Sequence, residues 1–143
     1  MGVLDGKAAV VTGAGRGIGR GHALQLAKAG AAVVINDIDS EVAAEVVAQI
    51  KALGGKAVAN TGNVGDKPGA DSIVAACVEA FGKIDIMMAN AGIARDRTFL
   101  KMTEDDFDTV MNIHVKGTFL CHQAAALQMK EQGTGGCLVS TVS

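Results

Sequence analysis

One stretch constrains the fold of this chain more than any other: Thr12-Gly13-Ala14-Gly15-Arg16-Gly17-Ile18-Gly19. It follows a continuous apolar run, Ala8-Ala9-Val10-Val11, and opens a helical pattern from about Gly17 to Ala29 that stops at Gly30. Glycine serves three purposes in such a turn: positive φ, close approach of backbone to a bound group, and tight packing of helix on strand. A glycine-rich turn alone can be no more than a tight connection. Between a buried strand and the first helix of a chain, it becomes a site where helix N–H groups and the positive dipole end meet an anion.

The strand-helix rhythm then repeats. Ala32 to Asn36 reads as a second strand, and Ser40 as the cap of a helix whose Val42, Val46, Ile50 and Leu53 share a face before Gly54-Gly55. Lys56 to Asn60 is a third strand. Pro68 begins a helix in which Ile73, Cys77 and Phe81 face inward, and Gly82 ends it. Ile84 to Ala89 is the fourth strand and Cys137 to Val142 the fifth. Between them, Thr103 and Asp106 form a capping pair that opens a long helix towards Met129, with Phe107, Val110, Met111, His114, Val115 and Thr118 as its inward stripe. Short, wholly apolar strands alternating with helices predict one α/β domain over residues 1–143, a Rossmann-type doubly wound parallel sheet of strand order 3-2-1-4-5.

Composition removes several function classes. The chain has 143 residues, a formal net charge of −2, 49% hydrophobic residues and 20% charged residues, so nothing favours a nucleic-acid partner. No apolar run is long enough to cross a bilayer, and Met1 to Lys7 has neither a signal-peptide pattern nor a good acylation signal. Cys77, Cys121 and Cys137 are odd in number, widely spaced and set among apolar neighbours. They read as buried reduced thiols, and the compartment as cytoplasmic.

Asp37 follows Gly19 by 18 positions and ends the second strand. That is close to the separation of roughly 20 residues at which an acid meets the adenine ribose of a dinucleotide. Its carboxylate accepts from a ribose diol and repels a 2′-phosphate, which selects NAD over NADP. Arg16 pulls the other way, as a cation able to meet that phosphate, and Asp39 reads as an ordinary turn residue.

From about Leu4 to Ser143 the chain resembles the short-chain dehydrogenase/reductase family. The resemblance rests on Thr12-Gly13-x-x-x-Gly17-Ile18-Gly19, Asp37, Asn63-Val64, Asn90-Ala91-Gly92 and Asn112-Ile113-His114-Val115-Lys116-Gly117. It implies that Gly13, Gly17, Ile18 and Gly19 line the pyrophosphate, with Arg16 beside them, and that Asn63 and Val64 contact adenine. The family usually has Asp before that Val. The resemblance also implies that Asn90, Ala91 and Gly92 border the cofactor, and that Ser143 is the serine hydrogen-bonded to the substrate oxygen, with Ser140 the weaker candidate. His114 stands where the family usually has an Asn that organises a proton-relay water. A satisfied core histidine and a relay residue are both open readings of it. The His-Val-Lys-Gly segment, Ile35-Asn36-Asp37 and Arg95-Asp96-Arg97 look most like the hydroxyacyl-CoA dehydrogenase units of peroxisomal bifunctional enzymes and their bacterial relatives. Arg95 and Arg97 equally suit solvated loop charges.

The family's mechanism needs a Tyr as general acid/base with a Lys four residues later, and the chain contains no Tyr. The expectation is therefore the cofactor-binding part of a longer NAD-dependent oxidoreductase that interconverts a secondary alcohol and a ketone, inactive alone and without the last strands of the family fold. A catalytically inactive nucleotide-binding or regulatory module is the alternative. A complete protein of this family is expected to form a homodimer or homotetramer, joined partly through the helix that carries His114.

Overall fold

Strand β1 (Ala8–Val11) forms where four consecutive apolar residues leave no polar face, so the strand is stable only when covered on both sides. In the computed structural model, which describes residues 2–142, all four are buried. The chain continues through α1 (Gly17–Lys28), β2 (Ala32–Asn36), α2 (Ser40–Ala52), β3 (Ala57–Asn60), α3 (Lys67–Phe81) and β4 (Ile86–Ala89). A 3-10 turn (Phe99–Lys101) precedes α4 (Glu104–Met111), a π turn (Asn112–Lys116), α5 (Gly117–Gln132) and β5 (Cys137–Ser140). Among the described residues the strands make one sheet of order β3-β2-β1-β4-β5, with every adjacent pair parallel. This is the doubly wound arrangement expected from the sequence.

Alternation along the strands sorts the core into two layers. Val10 and Val34 point to one face and pack with Ile73, Cys77, Leu120 and Met129 from α3 and α5. Ala9, Val11, Val33 and Ile35 point to the other, beneath Ala23 of α1 and Val46 and Ile50 of α2. At the amino edge, Asp85 is buried and its Oδ2 accepts from the Ala8 amide at 2.8 Å. Lys83 stands 3.1 Å from the same carboxylate, and the Asp85 backbone bonds to Ala8 and Cys137. One acid thereby ties the starts of β1, β4 and β5.

Four expectations are corrected. Asp39, not Ser40, caps α2: its side chain accepts from the amides of Glu41 and Val42, and Ser40 is already the first helical residue. Leu53 is not part of the inward face, because the helix ends at Ala52 and Leu53 is 65% exposed. Cys137 is exposed, since β5 is an edge strand. The stripe on the long helix fails most clearly. Phe107, Met111 and Val115 are 54%, 42% and 57% exposed, His114 is exposed, and Val110 and Thr118 are only half-buried. The π turn, closed by the Gly117 amide on the Asn112 carbonyl, adds residues to one turn and shifts the phase of all that follows. Gly117, Leu120, Cys121, Ala125 and Met129 face the core instead.

Burial with the Asp85 charge pushes the Cys77 thiol up to about 12, and burial pushes Cys121 up to about 11. Iodoacetamide at about pH 8 is expected to label Cys137 alone among the three in the native protein, and all three after denaturation. Mass spectrometry of intact protein checks this. Ile50→Ala should cost about 2–5 kcal/mol, because Ile50 is fully buried, whereas Leu53→Ala should stay within about 0.5 kcal/mol. Urea unfolding midpoints separate the two.

Candidate functional site

The carboxyl ends of β1, β2 and β4 converge on the glycine turn. Thr12, buried at the end of β1, fixes the meeting point. Its amide donates to the Met88 carbonyl at 3.1 Å, and its Oγ1 accepts from the amides of Asn90 and Ala91, both at 3.0 Å. The Asn90 side-chain amide returns two bonds, to the carbonyls of Thr12 (3.2 Å) and Gly13 (3.3 Å). Its carbonyl Oδ1 accepts from the Thr141 hydroxyl at 2.9 Å, just past β5.

Glycine is mandatory at two positions here. Gly13 has φ +60°, and a Cβ on it would lie 2.8 Å from the Ala91 Cα. A Cβ on Gly19 would run into the Gly13 carbonyl and the Asn90 amide, so α1 can start this close to β1 only without a side chain. Gly17 also has positive φ, and the space where its Cβ would stand is open. Arg16 is the N-cap of α1 but makes no side-chain capping bond, and no acid occupies the first turn. The first N–H groups of α1, from Gly17 to Gly19, are thus left for an outside acceptor.

Asp37 lies just beyond β2, half-buried beside this turn. One carboxylate oxygen accepts from the Gly15 amide and the other from the Asp39 amide, each at 3.0 Å. Behind it, the buried Asn36 side-chain amide donates to Asn60 Oδ1 (3.1 Å) and the Gly62 carbonyl (2.9 Å), locking β2 to β3. Arg16 reaches across to Asp39, with Nη2 3.0 Å from Oδ2.

The other expected residues divide. Asn63 is exposed after β3, and its Oδ1 accepts from the Gly65 amide at 2.8 Å. Val64 is buried in the core against Gly117. Ile18 is 68% exposed on the first turn of α1. His114 is exposed, not a core residue. Its Nε2 lies 3.0 Å from the Ile93 amide and 2.8 Å from the Ile93 carbonyl, and the ring lies where a Cβ on Gly92 would stand. Ser140 ends β5, exposed, while Ser143 lies outside the described residues. Arg95 and Arg97 are exposed, and Arg97 sits 3.5 Å from Asp106. Bonds from Thr103, with help from Arg97, hold the Asp106 carboxyl below the usual carboxylate range.

The arrangement is an anion cradle of amides beside a carboxylate, suited to a diphosphate joined to a sugar diol. A wide cleft of about 980 Å³ lies at the opposite, amino edge and includes Lys7, Lys28, Lys51, Lys56 and Lys83. Lys28 and Lys51 are in the last turns of their helices, where a cation offsets the negative dipole end. The carboxyl edge is the chemically equipped one. Among the described residues no cluster of His, Cys, Asp and Glu can hold a metal, and no helix is long and apolar enough to cross a membrane.

The sequence profile of the family described as short chain dehydrogenase matches residues 7–143. The chain belongs to the short-chain dehydrogenase family. It is 43% identical to "Peroxisomal multifunctional enzyme type 2" of Drosophila melanogaster, over 96% of this chain and 24% of that protein. It is 44% identical to "L-rhamnose 1-dehydrogenase (NAD(P)(+))" of a Sphingomonas strain, over 100% of this chain and 57% of that protein. Among solved structures it resembles a 7α-hydroxysteroid dehydrogenase complexed with NADH and 7-oxo glycochenodeoxycholic acid, with a TM-score of 0.92 and 36% identity. That match covers 98% of this chain and 54% of that one. The chain therefore spans from about a quarter to just over half of the length of these short-chain dehydrogenase relatives.

Sequence reasoning did not find the bonds made by Thr12, Gly15 and Thr141, and Asp39 read only as a turn residue. The signal for Thr12 was its place directly before the glycines, where a hydroxyl is the first polar group at the sheet edge. Thr12→Val should leave the Asn90 and Ala91 amides without their acceptor and cost about 1–3 kcal/mol. A urea melt measures the cost, and faster hydrogen exchange at those two amides shows where it falls.

Proposed function

We propose that this chain is the cofactor-binding part of an NAD-dependent oxidoreductase that interconverts a secondary alcohol and a ketone, with a 3-hydroxyacyl-CoA-like substrate. The reading is carried by the uncapped amides of α1 standing beside the half-buried Asp37 carboxylate. The residues present fit a dinucleotide: the positive-φ glycines and the space in front of Gly17 leave room for phosphate oxygens, and the acid is set for a ribose diol. When bound, the nicotinamide ring supplies the hydride chemistry.

The chain's own residues then bind and orient. Amides of Gly17, Ile18 and Gly19 hold the diphosphate, Gly13 keeps the backbone clear of it, and Asp37 accepts from the ribose hydroxyls. Asn63 and the Val64 backbone face the adenine, while Asn90, Ala91 and Gly92 wall the cradle on the β4 side. Ser143 is assigned the hydrogen bond to the substrate oxygen, and His114 steadies the Gly92–Ile93 backbone and serves the relay water. No Tyr occurs among the 143 residues, so the family's acid/base group is not among them. The exposed Phe107, Met111, Val115 and Phe119 on the long helix suit assembly of the full protein as a homodimer or homotetramer. A reducing compartment such as the cytoplasm suits the free thiols.

The test is a fluorescence titration with NADH and NADPH. NADH should bind at least about tenfold more tightly, because a carboxylate opposes a 2′-phosphate. Asp37→Ala should weaken NADH by about five- to tenfold, the worth of one or two hydrogen bonds, and narrow the preference. Tighter binding of NADPH by the wild-type chain would overturn the choice of NAD.

A further inference from the structure

We propose that Asp39 is a positioning residue that sets cofactor preference by restraining Arg16, a cation placed at the rim of the ribose site. This rests on the nucleotide reading above and adds a second determinant beside Asp37. The two oxygens of Asp39 have separate tasks. Oδ1 accepts from the amides of Glu41 (3.1 Å) and Val42 (3.4 Å) and caps α2. Oδ2 accepts from Arg16 Nη2 at 3.0 Å. The Asp39 amide donates to Asp37 Oδ1 at 3.0 Å, so the helix cap, the ribose acid and the tethered arginine form one continuous set of bonds.

Arg16 immediately precedes the first turn of α1, and its own cap position offers the guanidinium no partner there. Left alone, a side chain that is 73% exposed would sample the space beside Asp37, where a 2′-phosphate must sit. Bonded to Asp39, it is drawn to the start of α2 and its charge is neutralised. Asp37, Asp39 and Arg16 together carry one net negative charge, which disfavours a phosphate dianion. An exposed pair of this kind is a weak restraint, so it biases Arg16 and does not lock it.

Asp39→Asn separates the two tasks. The remaining amide oxygen still caps α2, since Asn is as good an N-cap as Asp, while the NH2 group cannot accept from Arg16. Asp39→Ser does the same with a hydroxyl cap, which guards against one variant folding poorly. The probes are ADP-ribose and 2′-phospho-ADP-ribose, which differ only in the 2′-phosphate and lack nicotinamide, titrated calorimetrically against the 143-residue chain. Asp39→Asn should tighten 2′-phospho-ADP-ribose about fivefold and leave ADP-ribose unchanged, with the gain fading at about 1 M salt. In an Arg16→Gln background the same substitution should gain less than about twofold, the signature of action through Arg16. An equal gain in both backgrounds, or no gain for either Asp39 variant, overturns the proposal while leaving the nucleotide reading intact. Failure of the wild-type chain to bind either probe overturns both.

Discussion

The Thr12 hydroxyl accepts two consecutive backbone amides, and the rest of the carboxyl edge is organised around that contact. Parallel strands bring their carboxyl ends to one side of the sheet but do not decide how the loops that follow meet. Here the loop after β4 is clamped to the end of β1, and Asn90 clamps back on the carbonyls of Thr12 and Gly13. The turn is thus held from below before α1 begins. Only then can α1 start close against β1, an approach that glycine at positions 13 and 19 alone permits. The chemistry of the turn is simple. Its accuracy comes from polar groups that do not touch a ligand.

The two edges of the sheet solve similar problems with different groups. Asp85, buried and acceptor-only, gathers the starts of β1, β4 and β5, and Lys83 balances its charge. That acid faces the ends of helices, where the dipole is negative, and the nearby lysines answer it. At the carboxyl edge the helix ends are positive, and acids answer two of them: Asp39 caps α2 and Asp66 caps α3, while α1 has no such partner. The uncapped start of α1, the one beside the glycines, is where an outside anion finds free amides.

The strands were legible because short apolar runs bounded by Gly, Asn and Asp have few other uses in a chain with this rhythm. The order of the sheet followed from the fold type that the first glycine turn implies. The phosphate turn and Asp37 were legible for the same reason: their spacing is set by one strand, one helix and one more strand. What stayed hidden depended on tertiary neighbours. Asp39 read as a turn residue because its partner, Arg16, is 23 positions away and meets it only when β1 and β2 lie side by side. His114 read as a possible core residue because it was counted onto an uninterrupted helical stripe. Past the π turn the stripe was an error of period. Phe107 and Met111 before it sit on a piece of helix that buries no apolar side chain, although the segment is helical throughout.

That error has a structural meaning. The π turn from Asn112 to Lys116 divides one long rod into two pieces set out of phase. The later piece is keyed to the sheet by Gly117, which rests on Val64. The earlier piece is released from that duty, so its apolar side chains look outward. A single inserted residue can thus give a helix two vocations, one facing its own sheet and one facing whatever lies beyond the molecule. Neither vocation constrains the side chains of the other.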